Sequence, residues 1–118
     1  MTGQIAKETL FLHNAEMGLG TSAWGDRLMW HYGQGYTDSD IQAAFQITLE
    51  AGVNLIDTAE TYGAGRSERL LGQFIKTTDK PVVVATKFMP FPWRLSKRAL
   101  INALRRSLER LGLEHVDL

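Results

Sequence analysis

The sequence predicts an α/β protein, a parallel sheet with helices packed outside it, in a single domain over residues 1–118. Short apolar runs alternate with amphipathic stretches in the order strand, helix, strand, helix, strand, helix, strand. The strand starts, near Met17, Val53, Val82 and Val116, are spaced by roughly 30 to 36 residues, the size of a right-handed βαβ unit. With 44% apolar and 22% charged residues in 118, the chain has a globular composition and enough length for one ordinary core. This alternation leaves open whether the sheet is flat-edged or closed into a barrel.

Taken in order, Leu10–Leu12 and Met17–Leu19 flank a turn-compatible His13-Asn14-Ala15-Glu16, which predicts a short hairpin leading into the first strand. Thr21 to Thr37 is rich in glycine, tryptophan and tyrosine and has neither period, so it reads as a long functional or mobile loop. Thr37 opens a helix with Asp40 in a capping-box position, and Ile41, Ala44, Phe45, Thr48 and Leu49 fall on one face. Gly52 closes that helix. Val53–Ile56 then forms a buried strand, with Asp57 at its carboxyl end.

Tyr62 follows in a glycine-bearing loop, and Ser67 is expected to cap a second helix whose apolar side is Leu70, Leu71, Phe74 and Ile75. Pro81 introduces the β-branched strand Val82–Thr86, and Lys87 stands at its end. Phe88, Pro90, Phe91, Pro92 and Trp93 make a proline-broken aromatic loop. Ser96 caps a third helix that turns Leu100, Ala103, Leu104, Leu108 and Leu111 inward and ends at Gly112. His115–Leu118 begins a fourth strand.

Several function classes are excluded by composition. Basic and acidic residues balance at thirteen each, so no global field draws in nucleic acid or an anionic membrane. Lys97, Arg98, Arg105, Arg106 and Arg110 read as the solvated outer side of the third helix. The absence of cysteine removes a disulfide scaffold, a thiolate metal site and a cysteine nucleophile. His13, His31 and His115 show no metal-ligand spacing. Neither a signal-peptide core nor an apolar run of membrane length is present, so a cytoplasmic or organelle-stroma setting is expected.

The chemistry-bearing residues lie at strand ends. Carboxyl ends of parallel strands share one rim, so Asp57 and Lys87 are expected on neighbouring strands within reach of each other. Tyr62, from the loop between them, adds a phenol beside an ammonium, and a nearby positive charge favours phenolate. Such a phenol can give its proton to a carbonyl oxygen. The plainer alternative is a structural salt bridge with an ordinary loop tyrosine. Aromatic side chains concentrated in the rim loops, namely Trp24, Trp30, Phe88 and Trp93, suit a substrate pocket.

Gly52-Val-Asn-Leu-Ile-Asp57-Thr-Ala-Glu60-Thr-Tyr62-Gly63, followed by Ser67-Glu68 and Leu71-Gly72, closely resembles a signature of the aldo-keto reductases. The resemblance extends to Met17–Gly25, to Val84-Ala-Thr-Lys87 and to Ser107–Leu118. It implies a (β/α)8 barrel and an NADPH-dependent reduction of an aldehyde or ketone. By that resemblance Asp57, Tyr62 and Lys87 match three catalytic positions: Tyr62 the general acid, Lys87 its tuner, Asp57 the holder of Lys87. It also implies that Gly20, Thr21, Ser22, Trp24 and Asp57 line the nicotinamide side of the cofactor.

The family's catalytic histidine falls past Val116-Asp117-Leu118, and His115, at the strand's beginning, is expected on the opposite rim. The resemblance thus implies the amino-terminal half of a barrel, three and a half βα units long, with the main phosphate grip on later strands. Two local patterns are set aside. Gly18-Leu-Gly20-Thr-Ser-Ala23 satisfies a dinucleotide fingerprint in letters, yet a glycine-rich loop and no helix follows it. Gly63-Ala-Gly65-Arg66-Ser67 lacks the lysine of a phosphate loop and reads as a turn into a helix. Two alternatives to the reductase stay open: a nicotinamide-binding regulatory subunit, and a non-catalytic half-barrel that self-associates through exposed strand edges.

Overall fold

The computed structural model describes residues 15–118. The first arm of the expected hairpin, Leu10–Leu12, lies outside the described residues. The remaining elements follow in order: β1 (Gly18–Gly20), α1 (Asp38–Glu50), β2 (Leu55–Asp57), a 3-10 turn (Tyr62–Gly65), α2 (Arg66–Ile75), β3 (Val83–Ala85) and α3 (Lys97–Leu111). The strands form one parallel sheet in the order β1-β2-β3, the layout of consecutive βα units in a (β/α)8 barrel. Among the described residues no helix is long and apolar enough to cross a membrane.

Register decides which side of the sheet is covered. Leu19, Ile56 and Val84 are cross-strand partners, and they pack on the helix side with Ile41, Phe45 and Leu49 of α1, Leu70, Leu71 and Phe74 of α2, and Leu111 of α3. Gly18, Leu55 and Val83 form the next row, and Gly20, Asp57 and Ala85 the row at the carboxyl rim. Because side chains alternate along a strand, these two rows look to the opposite face.

Helix boundaries follow local chemistry. α1 has the expected capping box between Thr37 and Asp40, the Thr37 amide donating to the Asp40 carboxylate at 2.7 Å. At its other end the Val53 amide bonds back to the Thr48 carbonyl at 3.1 Å. That helix-closing turn takes up residues expected in the strand, so β2 starts at Leu55 and includes Asp57. Ser67 is not the cap of α2, contrary to expectation: Gly65 holds that position in a left-handed conformation, φ 89°, which glycine adopts without steric cost. Ser67 is fully buried. In α3 the Ser96 hydroxyl accepts from the Ala99 amide at 3.1 Å, and Gly112 ends the helix.

Close approach of α2 and α3 depends on Gly72, where an added Cβ would stand 2.3 Å from the Leu111 carbonyl oxygen. Leu111 and Ala103 are buried as expected, but Leu100 and Leu104 remain 49% and 43% exposed. They border an apolar cleft of about 300 Å³ with Phe88, Val116 and Leu118, beyond the last strand of the sheet. The fourth strand is only sketched. The Asp117 amide donates to the Val84 carbonyl at 2.9 Å and the Thr86 amide to the Leu118 carbonyl at 3.1 Å. The Asp117 carboxylate, however, accepts from the Val84 amide at 2.8 Å, standing where a ladder carbonyl belongs, so the segment runs beside β3 without completing a ladder.

Candidate active site

Asp57 ends β2, and Lys87 follows β3 by two residues, so the parallel register delivers both to one rim. The Lys87 ammonium donates to Asp57 Oδ1 at 2.7 Å and to the Thr58 carbonyl at 3.0 Å. It also lies 5.2 Å from the centroid of the Tyr62 ring. Burial pulls the Lys87 pKa down, but the hydrogen bond and charge of Asp57, helped by Tyr62, outweigh it and hold the ammonium above the usual lysine range. Side chains of Lys87 and Asp57 are about half exposed, 50% and 44%, open to a ligand arriving on this rim.

Beneath this rim lies a buried hydroxyl cluster that fastens β1 and β2 to the start of α2. Ser67 Oγ is 2.6 Å from Thr21 Oγ1 and 3.0 Å from Thr58 Oγ1, and donates to the Thr21 carbonyl at 3.1 Å. The Thr21 hydroxyl lies 3.1 Å from the Asp57 carbonyl, as donor. A second buried group joins β3 to the helices. Glu68, fully buried, accepts from the Thr86 hydroxyl at 2.7 Å and from Arg110 Nε at 2.5 Å. Arg110 therefore departs from the solvated role expected of it, because its guanidinium neutralises a carboxylate that could not otherwise be buried.

The structure divides the residues singled out in the sequence. Asp57, Tyr62 and Lys87 come together. Gly20 stands opposite Asp57 in register, and a Cβ there would meet no atom within 4 Å, so the rim above β1 is open. Ser22 is exposed on the following turn. Thr21 is corrected: it is fully buried, and its hydroxyl is engaged by Asp57 and Ser67 instead of facing a ligand. Trp24 is corrected in both its pocket and its cofactor role. Its ring is 6% exposed and packs edge-on against Phe45 and Phe74, with centroids 6.4 and 5.7 Å away, so its large apolar area serves the core.

Trp30 is 52% exposed on the long loop after β1, and Trp93 is 78% exposed on the loop after β3. Phe88 is half-buried under the Arg94 guanidinium, 4.7 Å from its ring centroid. Sequence reasoning missed the pairing of Glu60 with Arg94, whose Nη1 reaches Glu60 Oε1 at 2.8 Å. The available signal was a carboxylate between Asp57 and Tyr62 and an arginine just after the aromatic run.

Three parallel strands in the order β1-β2-β3 with helices packed on one side have the layout of part of a (β/α)8 barrel. The sequence profile of the Aldo/keto reductase family matches residues 16–118. The chain belongs to the aldo-keto reductase family.

Among curated relatives, it is 48% identical over 112 residues to a chloroplastic pyridoxal reductase of Arabidopsis thaliana, covering 86% of this chain and 30% of the relative. It is 37% identical to an uncharacterized oxidoreductase of Mycobacterium bovis, covering 86% of this chain and 32% of that protein. An aldo-keto reductase from Klebsiella pneumoniae in complex with NADPH superposes with a TM-score of 0.67 at 31% identity, over 84% of this chain and 32% of that one. The glycerol dehydrogenase of Gluconobacter oxydans gives 0.64, also at 31%, over 84% and 32%. The chain thus spans about a third of the length of the relatives it matches.

Proposed function

We propose that this sequence contributes the catalytic rim of an NADPH-dependent reductase that converts an aldehyde or ketone to an alcohol. The observation carrying this reading is the placement of the Lys87 ammonium between the Asp57 carboxylate, 2.7 Å away, and the face of Tyr62, 5.2 Å from its centroid. A phenol held beside an ammonium on an open rim is placed to pass a proton to a carbonyl oxygen. In this reading Tyr62 is the general acid. Lys87 stabilises its anion, and Asp57 keeps Lys87 charged and in place.

The residues present fit the nicotinamide end of the cofactor: the open surface at Gly20 adjoins half-exposed Asp57 on the same rim. Gly20, Ser22 and Asp57 would hold that end. When bound, NADPH supplies the reducing hydride. Further support comes from the NADPH complex of the Klebsiella pneumoniae structure. The substrate pocket is assigned to Phe88, Trp93 and Trp30, exposed or half-buried on the two rim loops, and the partner is a small carbonyl compound. The compartment proposed is cytoplasmic or an organelle stroma, the latter favoured by the chloroplastic relative. Self-association of the chain, expected through exposed strand edges, is part of this proposal, and the uncovered apolar cleft beside Leu100 and Leu104 supports it.

The test is Tyr62→Phe in the protein at its full natural length. Carbonyl turnover should fall by about 10²- to 10⁴-fold, the range for loss of a general acid, while NADPH still binds. Unchanged turnover would sink the assignment.

A further inference from the structure

Glu60 lies between Asp57 and Tyr62 in sequence, yet the proposed proton transfer makes no use of it. Its side chain is only 10% exposed and is filled with donors from the loop after β3. Oε1 accepts from the Met89 amide at 2.7 Å and from Arg94 Nη1 at 2.8 Å, and Oε2 accepts from Arg94 Nη2 at 3.0 Å. The fork is thus bidentate, the strongest geometry open to an arginine and a carboxylate. Arg94 Nη1 also donates to the Met89 carbonyl at 3.2 Å. Its guanidinium lies 4.7 Å from the Phe88 centroid and 6.0 Å from that of Phe91. The backbone adds a tie, the Glu60 amide donating to the Lys87 carbonyl at 3.3 Å.

What this fastening holds is an aromatic shelf. Phe91 and Trp93 stack with centroids 5.0 Å apart and planes 3° from parallel, and Trp93 is 78% exposed. A flat π-face held open to solvent suits a planar ring. A proline-broken loop of this kind has no helix or ladder to keep it still. It starts directly after Lys87, whose ammonium lies 5.2 Å from the Tyr62 ring, and beyond two turn bonds of its own, at Phe91 and Arg94, its placement depends on the side chains that tie it down.

We propose that Glu60 and Arg94 form a clamp that positions the Phe88–Trp93 loop beside Tyr62 and so sets the affinity for a planar aromatic aldehyde, an inference that rests on the carbonyl-reductase reading above. Glu60 and Arg94 are positioning residues. They bring the shelf to the rim, and the chemistry stays with Tyr62.

The experiment compares Glu60→Gln, Arg94→Gln and the double variant, using 4-nitrobenzaldehyde and propanal as substrates of the protein at its full natural length. Each single variant should raise KM for the aromatic aldehyde about tenfold, through loss of charge-assisted hydrogen bonds. KM for NADPH and kcat with propanal should stay within about twofold, the signature of lost substrate binding without lost chemistry. The double variant should be no worse than either single one, because the pair acts as a unit. Equal losses on both aldehydes, or additive losses in the double variant, overturn the clamp.

A second measurement does not depend on turnover. Amide hydrogen exchange at Met89, Phe91, Trp93 and Arg94 in the 118-residue chain should quicken at least about tenfold in Glu60→Gln, since local opening there loses its main restraint. Unchanged exchange overturns the proposal. A wild-type protein that reduces neither aldehyde would refute the reductase reading, and exchange would then decide the clamp alone.

Discussion

Ser67 shows how one hydroxyl can organise a rim it never reaches. It touches Thr21 and Thr58 and donates to the Thr21 carbonyl, so it locks the ends of β1 and β2 to the first turn of α2 just beneath Asp57. Replacing it with alanine leaves buried hydroxyls short of a partner, a change that costs about 1–3 kcal/mol. Ser67→Ala should accordingly lower the urea midpoint of the chain by that equivalent, read by far-ultraviolet circular dichroism. A midpoint unchanged from wild type would mean that Thr21 and Thr58 satisfy each other. Nothing in the sequence distinguishes this buried serine from a helix cap, since both stand just before an apolar helical run. Asp57 and Lys87 were legible because each is the first charge after an apolar strand. Trp24 was not, because a tryptophan in a glycine-rich loop can swing toward either the rim or the core, and only the gap between Phe45 and Phe74 decides.

At the scale of elements, the order of strands and helices and the ends of α1 and α3 were read closely, whereas the start of α2 and the bounds of β2 were not. Thr37, Ser96 and Gly112 mark helix ends through side-chain or backbone chemistry confined to one turn, whereas β2 and β3 are fixed by register with their neighbours. The loop after β3 is an element of neither kind: beyond its own turn bonds, from the Phe91 amide to the Met89 carbonyl and from the Arg94 amide to the Phe91 carbonyl, the Glu60 carboxylate is its main side-chain tie. Hydrogen bonds from Arg94 pull the Glu60 pKa below its ordinary value of 4.5 against the effect of burial, and the Met89 amide and the charges of Arg94 and Arg110 add to the pull. A carboxyl group whose pKa is depressed on folding contributes stability that is present above the unfolded value and lost as pH falls through the folded one. Acidification below the ordinary glutamate range should therefore loosen residues 88–94. The protection of the Met89 amide, its observed exchange divided by the intrinsic rate at each pH, should fall with acid in the wild-type chain and show no such fall in Glu60→Gln. An equal acid response in both would place the sensitivity elsewhere.

Across the whole molecule, the sheet is covered on one side and the apolar surface beyond β3 is not. The order β1-β2-β3 leaves β1 at one end of the sheet among the described residues. At the other end Leu100, Leu104 and Leu118, at 49%, 43% and 59% exposure, open onto the cleft beside Phe88 and Val116. In a closed barrel such a face is covered by the next βα unit. The 118-residue chain expressed by itself has a copy of itself as the available cover, and exposed apolar surface of this kind drives association. It should sediment above its monomer mass of 13.2 kDa at tens of micromolar, by the order of magnitude at which uncovered apolar faces associate. Leu104→Lys places a charge in the cleft at a position exposed enough to tolerate it. That variant should shift the sedimentation profile toward monomer while keeping the helical signal of the wild-type chain. A wild-type chain that remains monomeric throughout, or a Leu104→Lys chain that associates just as strongly, would show that this cleft is not what brings copies together.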